Sequence, residues 1–272
     1  MIVKDTLLKA DEMFNKFEIE GAVCYPSTNK TCCVSGKTDD DLVYLYVERF
    51  RDISLKSDES DEEPVDDSYE LKEFAIRNWY PFHMMLSMCP PESLDLEIIN
   101  DSFDYPQLAI FKHDNVKIKH HLQNYSFISN QSDLLNLYKQ KKFELRRAGD
   151  SATHNISSEV FKTMSRFSTM LNEKFFRIGK NENGKFSLYY GDMYQSIDCA
   201  SIQLDDFNNV NETWDSSSYF NVDYFTSLYR SLGANDSVKI NFMKNKIIMA
   251  TKDDKYFKVG VLVGKNMQGE KI

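Results

Sequence analysis

The chain carries the same succession of patterns twice, and this repetition constrains its fold more than any other feature. An amphipathic helix, short strands, a second helix and a run of three strands fill residues 1–130, and the order starts again in 143–272. Because each copy mixes helical and alternating periods, the repeat predicts two similar α+β domains, each with antiparallel sheets packed on two helices. The segment 131–142 has neither period, and we interpret it as a connector.

Helices are predicted where apolar residues recur at helical spacing. In the first copy, Leu7, Ala10 and Phe14 form such a stripe. Pro81 suits the first turn of a second, shorter helix, and Pro90 suits the residues beyond its end. The segments predicted as helices are 5–17, 80–89, 158–171 and 222–233.

Strands are predicted from short alternating stretches bounded by turn-forming residues. Three of them follow the second helix of each copy and should form an antiparallel meander. These meander strands are predicted at 94–100, 107–114, 116–122, 237–243, 245–253 and 256–264. The acidic segment 56–70 interrupts the strands of the first copy, and its few apolar side chains indicate a solvated loop that folding does not require.

The charge balance is acidic. Among 272 residues, 42 are Asp or Glu and 33 are Lys or Arg, which gives a formal net charge of -9. Such a chain repels a polyanion unless its basic residues share one surface, so the total charge does not exclude DNA binding. No apolar run near the start suits a signal sequence or membrane span, which predicts a cytoplasmic protein. Five cysteines without CxxC spacing indicate reduced thiols.

No motif for catalysis, metal binding or a cofactor stands out. The string VSGKT at 34–38 has Thr31 where a phosphate-binding loop needs glycine, and we interpret the string as a β-turn. His113, His120 and His121 cluster in a predicted hairpin, but the last two point to opposite faces of a strand and cannot easily share one metal. The carboxylates form no HExxH or paired motif, so a protein that is not an enzyme is predicted.

Positive charge recurs on the long helices, opposite their apolar stripes. On the first helix Asp5 and Glu12 lie near the lysines, and an ordinary solvated face explains that helix taken alone. Recurrence in both copies favours one weakly basic surface that follows phosphates without reading bases. The candidate DNA-facing residues are Lys9, Lys16, Lys162, Arg166 and Arg230.

At this level the organisation resembles the DNA sliding clamps, and in particular those of T-even-type tailed phages. The residues that carry the resemblance are the opening KDTLLKADEMFNKF, the segment from FAIRNWYPFHMMLSM through DNVKIKHH, the SSEVFKTMSRFS helix, and FNVDYFTSLYRSL with KIIMATKDDKYFKVGVLVG. The resemblance spans nearly the whole chain and consists of pattern, order and length. The acidic segment 56–70 and the partly neutralised first helix depart from the family pattern.

The resemblance implies a homotrimer of clamp-type subunits, closed head to tail into a ring around double-stranded DNA, with helices on its inner wall. Such a ring serves as a processivity factor: an ATP-dependent clamp loader opens it, and it tethers a replicative DNA polymerase to DNA of any sequence. The polymerase tail docks an apolar peptide into a pocket of the clamp, for which Leu134, Leu135 and Tyr138 are candidate rim residues. A phage member would act in the host bacterial cytoplasm.

Two other functions fit the sequence. Repeated β-rich domains with many aromatic residues also build structural or interaction proteins of phage particles, and sedimentation would separate a defined ring from such assemblies. A binder of single-stranded nucleic acid would use aromatic side chains as stacking platforms. That hypothesis ranks lower because most aromatic residues fall on inward-facing strand positions or helix stripes.

Overall fold

A computed structural model describes residues 2–27, 31–49, 71–88, 90–124, 158–180, 183–191, 199–204, 218–233, 238–243 and 245–266. The chain divides into two compact units. Unit 1 comprises Met1–Asp39, Tyr44–Lys142 and Lys252–Lys258; unit 2 comprises Asp40–Val43, Phe143–Thr251 and Val259–Ile272. The predicted connector 131–142 and acidic loop 56–70 lie outside the described residues, and both remain predictions.

Unit 1 holds two helices and two antiparallel sheets. One sheet has the strand order β3-β2-β1-β4, and the other has the order β5-β6-β7. The elements are α1 (Ile2–Phe14), β1 (Ile19–Ser27), β2 (Thr31–Thr38), β3 (Val43–Arg49), β4 (Phe74–Arg77), α2 (Trp79–Ser87), β5 (Asp95–Asn100), β6 (Pro106–His113) and β7 (Val116–His121).

Aromatic side chains join the helices of unit 1 to both sheets. Phe14 of α1 lies 4.9 Å from Trp79 of α2, measured between ring centroids, and Trp79 lies 5.1 Å from Phe82. Phe82 in turn contacts Phe111 of β6 at 5.3 Å. All four residues are at most 2% exposed, so each contributes roughly 1.5–3 kcal/mol of apolar burial to the fold.

Unit 2 repeats this arrangement. Its five-stranded antiparallel sheet has the order β10-β9-β8-β11-β15, and β12, β13 and β14 lie side by side in that order. The elements are α3 (Ser158–Leu171), β8 (Phe175–Lys180), β9 (Phe186–Tyr190), β10 (Ala200–Gln203), β11 (Ser218–Asn221), α4 (Val222–Gly233), β12 (Lys239–Met243), β13 (Lys246–Lys252), β14 (Tyr256–Val263) and β15 (Lys265–Asn266).

The core of unit 2 is also aromatic. Phe176 of β8 lies 5.2 Å from Phe225 of α4 and 5.8 Å from Phe220 of β11, between ring centroids. All three are fully buried. The predicted α+β class, with antiparallel sheets packed on a few helices, is therefore confirmed.

Three details differ from the sequence predictions. Helix α1 ends at Phe14 rather than at residue 17, because Phe17 donates its backbone N–H to the Phe14 carbonyl in a closing turn. The VSGKT string is not a turn, since β2 continues to Thr38. Gly36 occurs there because a Cβ would lie 2.8 Å from the Phe14 ring. The sequence also missed β11 and β15, which are too short to show a period.

Candidate nucleic-acid interface

Helices α3 and α4 pack together through stacked rings and turn their polar faces outward. Phe161 of α3 stacks on Tyr229 of α4, with ring centroids 4.1 Å apart, and lies 5.7 Å from Phe225. Asn221 caps α4, because its side-chain oxygen accepts the backbone N–H of Tyr224 at 3.0 Å. These contacts fix which side of each helix faces solvent.

Three predicted basic residues occupy that solvent side. Lys162 and Arg166 are exposed one helical turn apart on α3, and Arg230 is exposed near the end of α4. Within the described part of the chain, none of the three has an ion-pair partner. Their charges are thus available to an anionic ligand, although Glu159 and Asp223 on the same helices weaken the net positive potential.

The two predicted residues of unit 1 are placed differently. Lys9 on α1 forms an ion pair with Glu12 at 2.5 Å, and its side chain is only 25% exposed. Its ammonium group also lies 5.8 Å from the centroid of the Tyr256 ring, a cation–π contact. Lys16 is exposed but lies beyond the end of α1. Free positive charge on the helices is therefore concentrated in unit 2.

Helix α2 presents an apolar outer stripe that the sequence patterns did not predict. Tyr80, Met84 and the C-cap residue Met88 recur every four residues and are 68%, 40% and 64% exposed. The helix contains no lysine or arginine. The spacing could have revealed this stripe, but the neighbouring core residues Phe82 and Leu86 made the whole segment resemble core.

Asp11 joins the helices of unit 1. It accepts hydrogen bonds from Trp79 Nε1 at 3.0 Å and from His83 Nδ1 at 2.9 Å, and its side chain is only 13% exposed. A carboxylate in this position fixes α2 on α1, because it satisfies an indole N–H that would otherwise be buried without a partner.

Replacing Asp11 with alanine should lower the free energy of unfolding by about 1–3 kcal/mol, since the Trp79 N–H would be left without its acceptor. Urea unfolding followed by tryptophan fluorescence measures the change. The matched control is Glu12→Ala, which removes only a surface ion pair and should cost less than about 1 kcal/mol. Equal destabilisation in the two variants would contradict the role given to Asp11.

β7 and β10 are among the edge strands of the sheets in the described part of the chain. β7 pairs only with β6, and β10 pairs only with β9. Lys117, Lys119 and His121 are exposed along β7, whereas burial lowers the pKa of the intervening His120 and favours its neutral form. β7 therefore offers open backbone groups beside positive charge.

Two kinds of site considered from the sequence remain, the peptide pocket and a metal site. Leu134, Leu135 and Tyr138, proposed for the peptide pocket, lie outside the described residues. Among the residues that the structure describes, no group of three or more His, Cys, Asp or Glu is arranged to hold a metal ion. No helix in the described ranges is long and apolar enough to cross a membrane.

Comparison with known proteins relates the fold to one group of solved structures. Neither a protein-family model nor a curated protein sequence matches the chain. The structure of the C-terminal region of FEN-1 bound to A. fulgidus PCNA matches with a TM-score of 0.55 and 12% identity, covering 97% of this chain and 96% of that one.

Two further solved structures also match the fold of this chain. The proliferating cellular nuclear antigen of Entamoeba histolytica matches with a TM-score of 0.53 and 12% identity, over 96% of each chain. PCNA from Thermococcus kodakaraensis matches with a TM-score of 0.51 and 13% identity, over 96% of this chain and 97% of that one. The chain therefore has the fold of the PCNA-type sliding clamps over nearly its whole length.

Proposed function

We propose that this protein is a DNA sliding clamp, a non-enzymatic ring subunit that encircles double-stranded DNA and tethers a polymerase. The observation that carries the proposal is the exposed basic face of α3 and α4, formed by Lys162, Arg166 and Arg230 on a clamp-type fold. These side chains suit phosphate contacts without base recognition. The acidic charge of the whole chain would disfavour DNA on surfaces that lack such clustered cations.

The proposed assembly is a homotrimer closed head to tail. The open edges of β7 and β10 support this, because pairing β7 of one copy with β10 of the next would satisfy both edges and repeat around a ring. Lys117 and Lys119 of β7 are basic, while the sequence places Asp198 and Asp205 on either side of β10. This complementarity favours pairing between unlike edges over pairing of β7 with itself.

The finer proposals concern origin and partners. The sequence resemblance in KDTLLKADEMFNKF and the other quoted segments favours a clamp of the T-even phage type, opened by an ATP-dependent loader. A. fulgidus PCNA binds the C-terminal region of FEN-1, which supports docking of a partner's terminal peptide here as well. Leu134, Leu135 and Tyr138 remain the proposed rim of that site.

A topological assay tests the proposed function. Protein loaded onto closed circular DNA by the cognate loader should stay bound through gel filtration in high salt, and should dissociate once the circle is cut. The reason is that a threaded ring is retained by its closure and not by direct contacts, which salt would weaken. Quantifying protein that elutes with DNA before and after cutting measures the effect.

The mass of the free protein should also be measured by light scattering, and we expect the mass of three chains. A stable dimer would contradict the trimer. Equal retention on closed and cut DNA would contradict the ring. Assembly into large particles would instead favour the structural protein of a phage particle.

A further inference from the structure

The five-stranded sheet of unit 2 has a second face that the proposed function does not use. Along β8 and β11 buried residues alternate with half-buried ones, and on β9 Tyr189 is half-buried while Ser187 is buried. Phe176, Tyr190 and Phe220 face the helices and are fully buried. The alternate positions therefore lie on the opposite face of the sheet, away from α3 and α4.

On that face, five side chains stand opposite one another in a single line across all five strands. The pairing joins Lys265 to Tyr219, Tyr219 to Arg177, Arg177 to Tyr189, and Tyr189 to Ser201. Neighbouring strands lie about 4.8 Å apart, so this line is about 19 Å long. We call these five residues the cross-strand row: Lys265, Tyr219, Arg177, Tyr189 and Ser201.

Arg177, at the centre of the row, contacts an aromatic ring and has one N–H donor without a hydrogen-bond partner among the described residues. Its guanidinium carbon lies 5.6 Å from the centroid of the Tyr189 ring, a cation–π contact. Its Nε atom is buried and has no hydrogen-bond partner among the described residues. A buried donor without an acceptor is costly, and an anionic oxygen bound at this point would satisfy it.

The neighbouring outward positions on the described strands carry no negative charge. The other outward positions of these strands are Phe175, Gly179, Ser187, Gln203 and Asn221, none of which is acidic. Gly179 lets the Tyr189 ring lie close against β8, because a Cβ at residue 179 would be 3.2 Å from the tyrosine ring. In a chain of net charge -9, this sheet face is a local cationic and aromatic surface.

We propose that the cross-strand row binds single-stranded nucleic acid. Tyr189 and Tyr219, both half-buried, offer rings for base stacking on the sheet face away from the helices, and Arg177 between them and Lys265 beside them offer cations to the backbone phosphates. An acidic peptide would match the cations but would leave the two tyrosines without planar partners. The alternation of ring and cation thus favours a strand that alternates base and phosphate.

This inference does not depend on the sliding-clamp proposal, because the row lies on the opposite face of the sheet from α3 and α4. The test uses the full-length chain without a loader. Anisotropy of a fluorescent oligo-dT of about ten nucleotides, within the range that single-strand binding folds occupy, measures binding at low salt. Saturable binding is expected, with at least tenfold weaker affinity in the Tyr189→Leu, Tyr219→Leu double variant and in Arg177→Gln.

Lys180→Gln is the matched control for Arg177→Gln, because Lys180 is an exposed cation of the same strand with its side chain on the other face. It should bind oligo-dT like the parent. Melting temperatures establish that each variant is folded. If the double tyrosine variant fails to fold, Arg177→Gln against Lys180→Gln decides the question.

A probe on Cys199 locates the bound strand, since Cys199 is exposed and lies two residues before Ser201 in the row. In a Cys89→Ser background, a fluorophore at this thiol should respond to oligo-dT. The proposal is overturned if oligo-dT does not bind, if the row variants bind it as well as the parent, or if polyglutamate binds as tightly. Polyglutamate binding that the row variants abolish would identify an acidic protein partner instead.

Discussion

Gly260→Ala should destabilise unit 2 by about 1–3 kcal/mol, although alanine normally stabilises a strand relative to glycine. A Cβ at residue 260 of β14 would lie 2.0 Å from Leu228 Cδ1 and within 2.9 Å of two further atoms of the same side chain. Leu228 is fully buried on α4, so it has little room to move aside. Thermal and urea unfolding should both show the destabilisation.

A double-mutant cycle tests whether the destabilisation comes from contact between residue 260 and Leu228. Leu228→Ala alone should cost about 2–5 kcal/mol because it opens a cavity. Combined with Gly260→Ala, the new methyl group would fill part of that cavity, so the double variant should be more stable than the sum of the two changes implies. The control is Gly179→Ala, where the nearest atom is the half-buried Tyr189 ring at 3.2 Å, and little change is expected. Additive effects would show that Gly260 and Leu228 do not pack together as described.

The long helices of the second copy could be predicted from the sequence to the residue. Segments 158–171 and 222–233 hold several apolar residues at helical spacing, and α3 and α4 have these bounds in the structure. The end of the first helix was displaced by three residues, because Phe17 continues the apolar spacing after the backbone has turned toward β1. The spacing of apolar residues shows which positions face the core, but it does not show where the hydrogen-bonding pattern of the helix ends.

The charged side chains show a different limit. The sequence already places Asp5 and Glu12 near the lysines of the first helix, but it does not show which acid pairs with which lysine. In the structure Glu12 forms an ion pair with Lys9, while Lys162 has no ion-pair partner among the described residues. The cross-strand row was not predictable at all. Its members lie on different strands, and only the register of two strand pairs brings Arg177, Tyr189 and Tyr219 together.

If the protein acts as the proposed sliding clamp, changing Lys162 and Arg166 together to Glu should greatly reduce loading onto DNA and processive synthesis. Both cations become anions on every subunit of the ring, so attraction to phosphate turns into repulsion. We expect at least tenfold less protein retained on circular DNA. In a plot of log affinity against log salt concentration, the magnitude of the slope should also fall by about 1 for each phosphate that the variant no longer neutralises.

Three comparisons separate this effect from damage to the fold. Both residues are exposed, so the free energy of unfolding should change by less than about 0.5 kcal/mol and the oligomer should persist. Lys174→Glu with Lys180→Glu changes the charge equally at exposed positions of the same unit outside the helices, and should load normally. Lys9→Ala should have less effect than Lys162→Ala, because Glu12 already neutralises Lys9. If the Lys162, Arg166 double variant supports processive synthesis like the parent, these helix faces are ordinary solvated surface and the DNA contacts lie elsewhere.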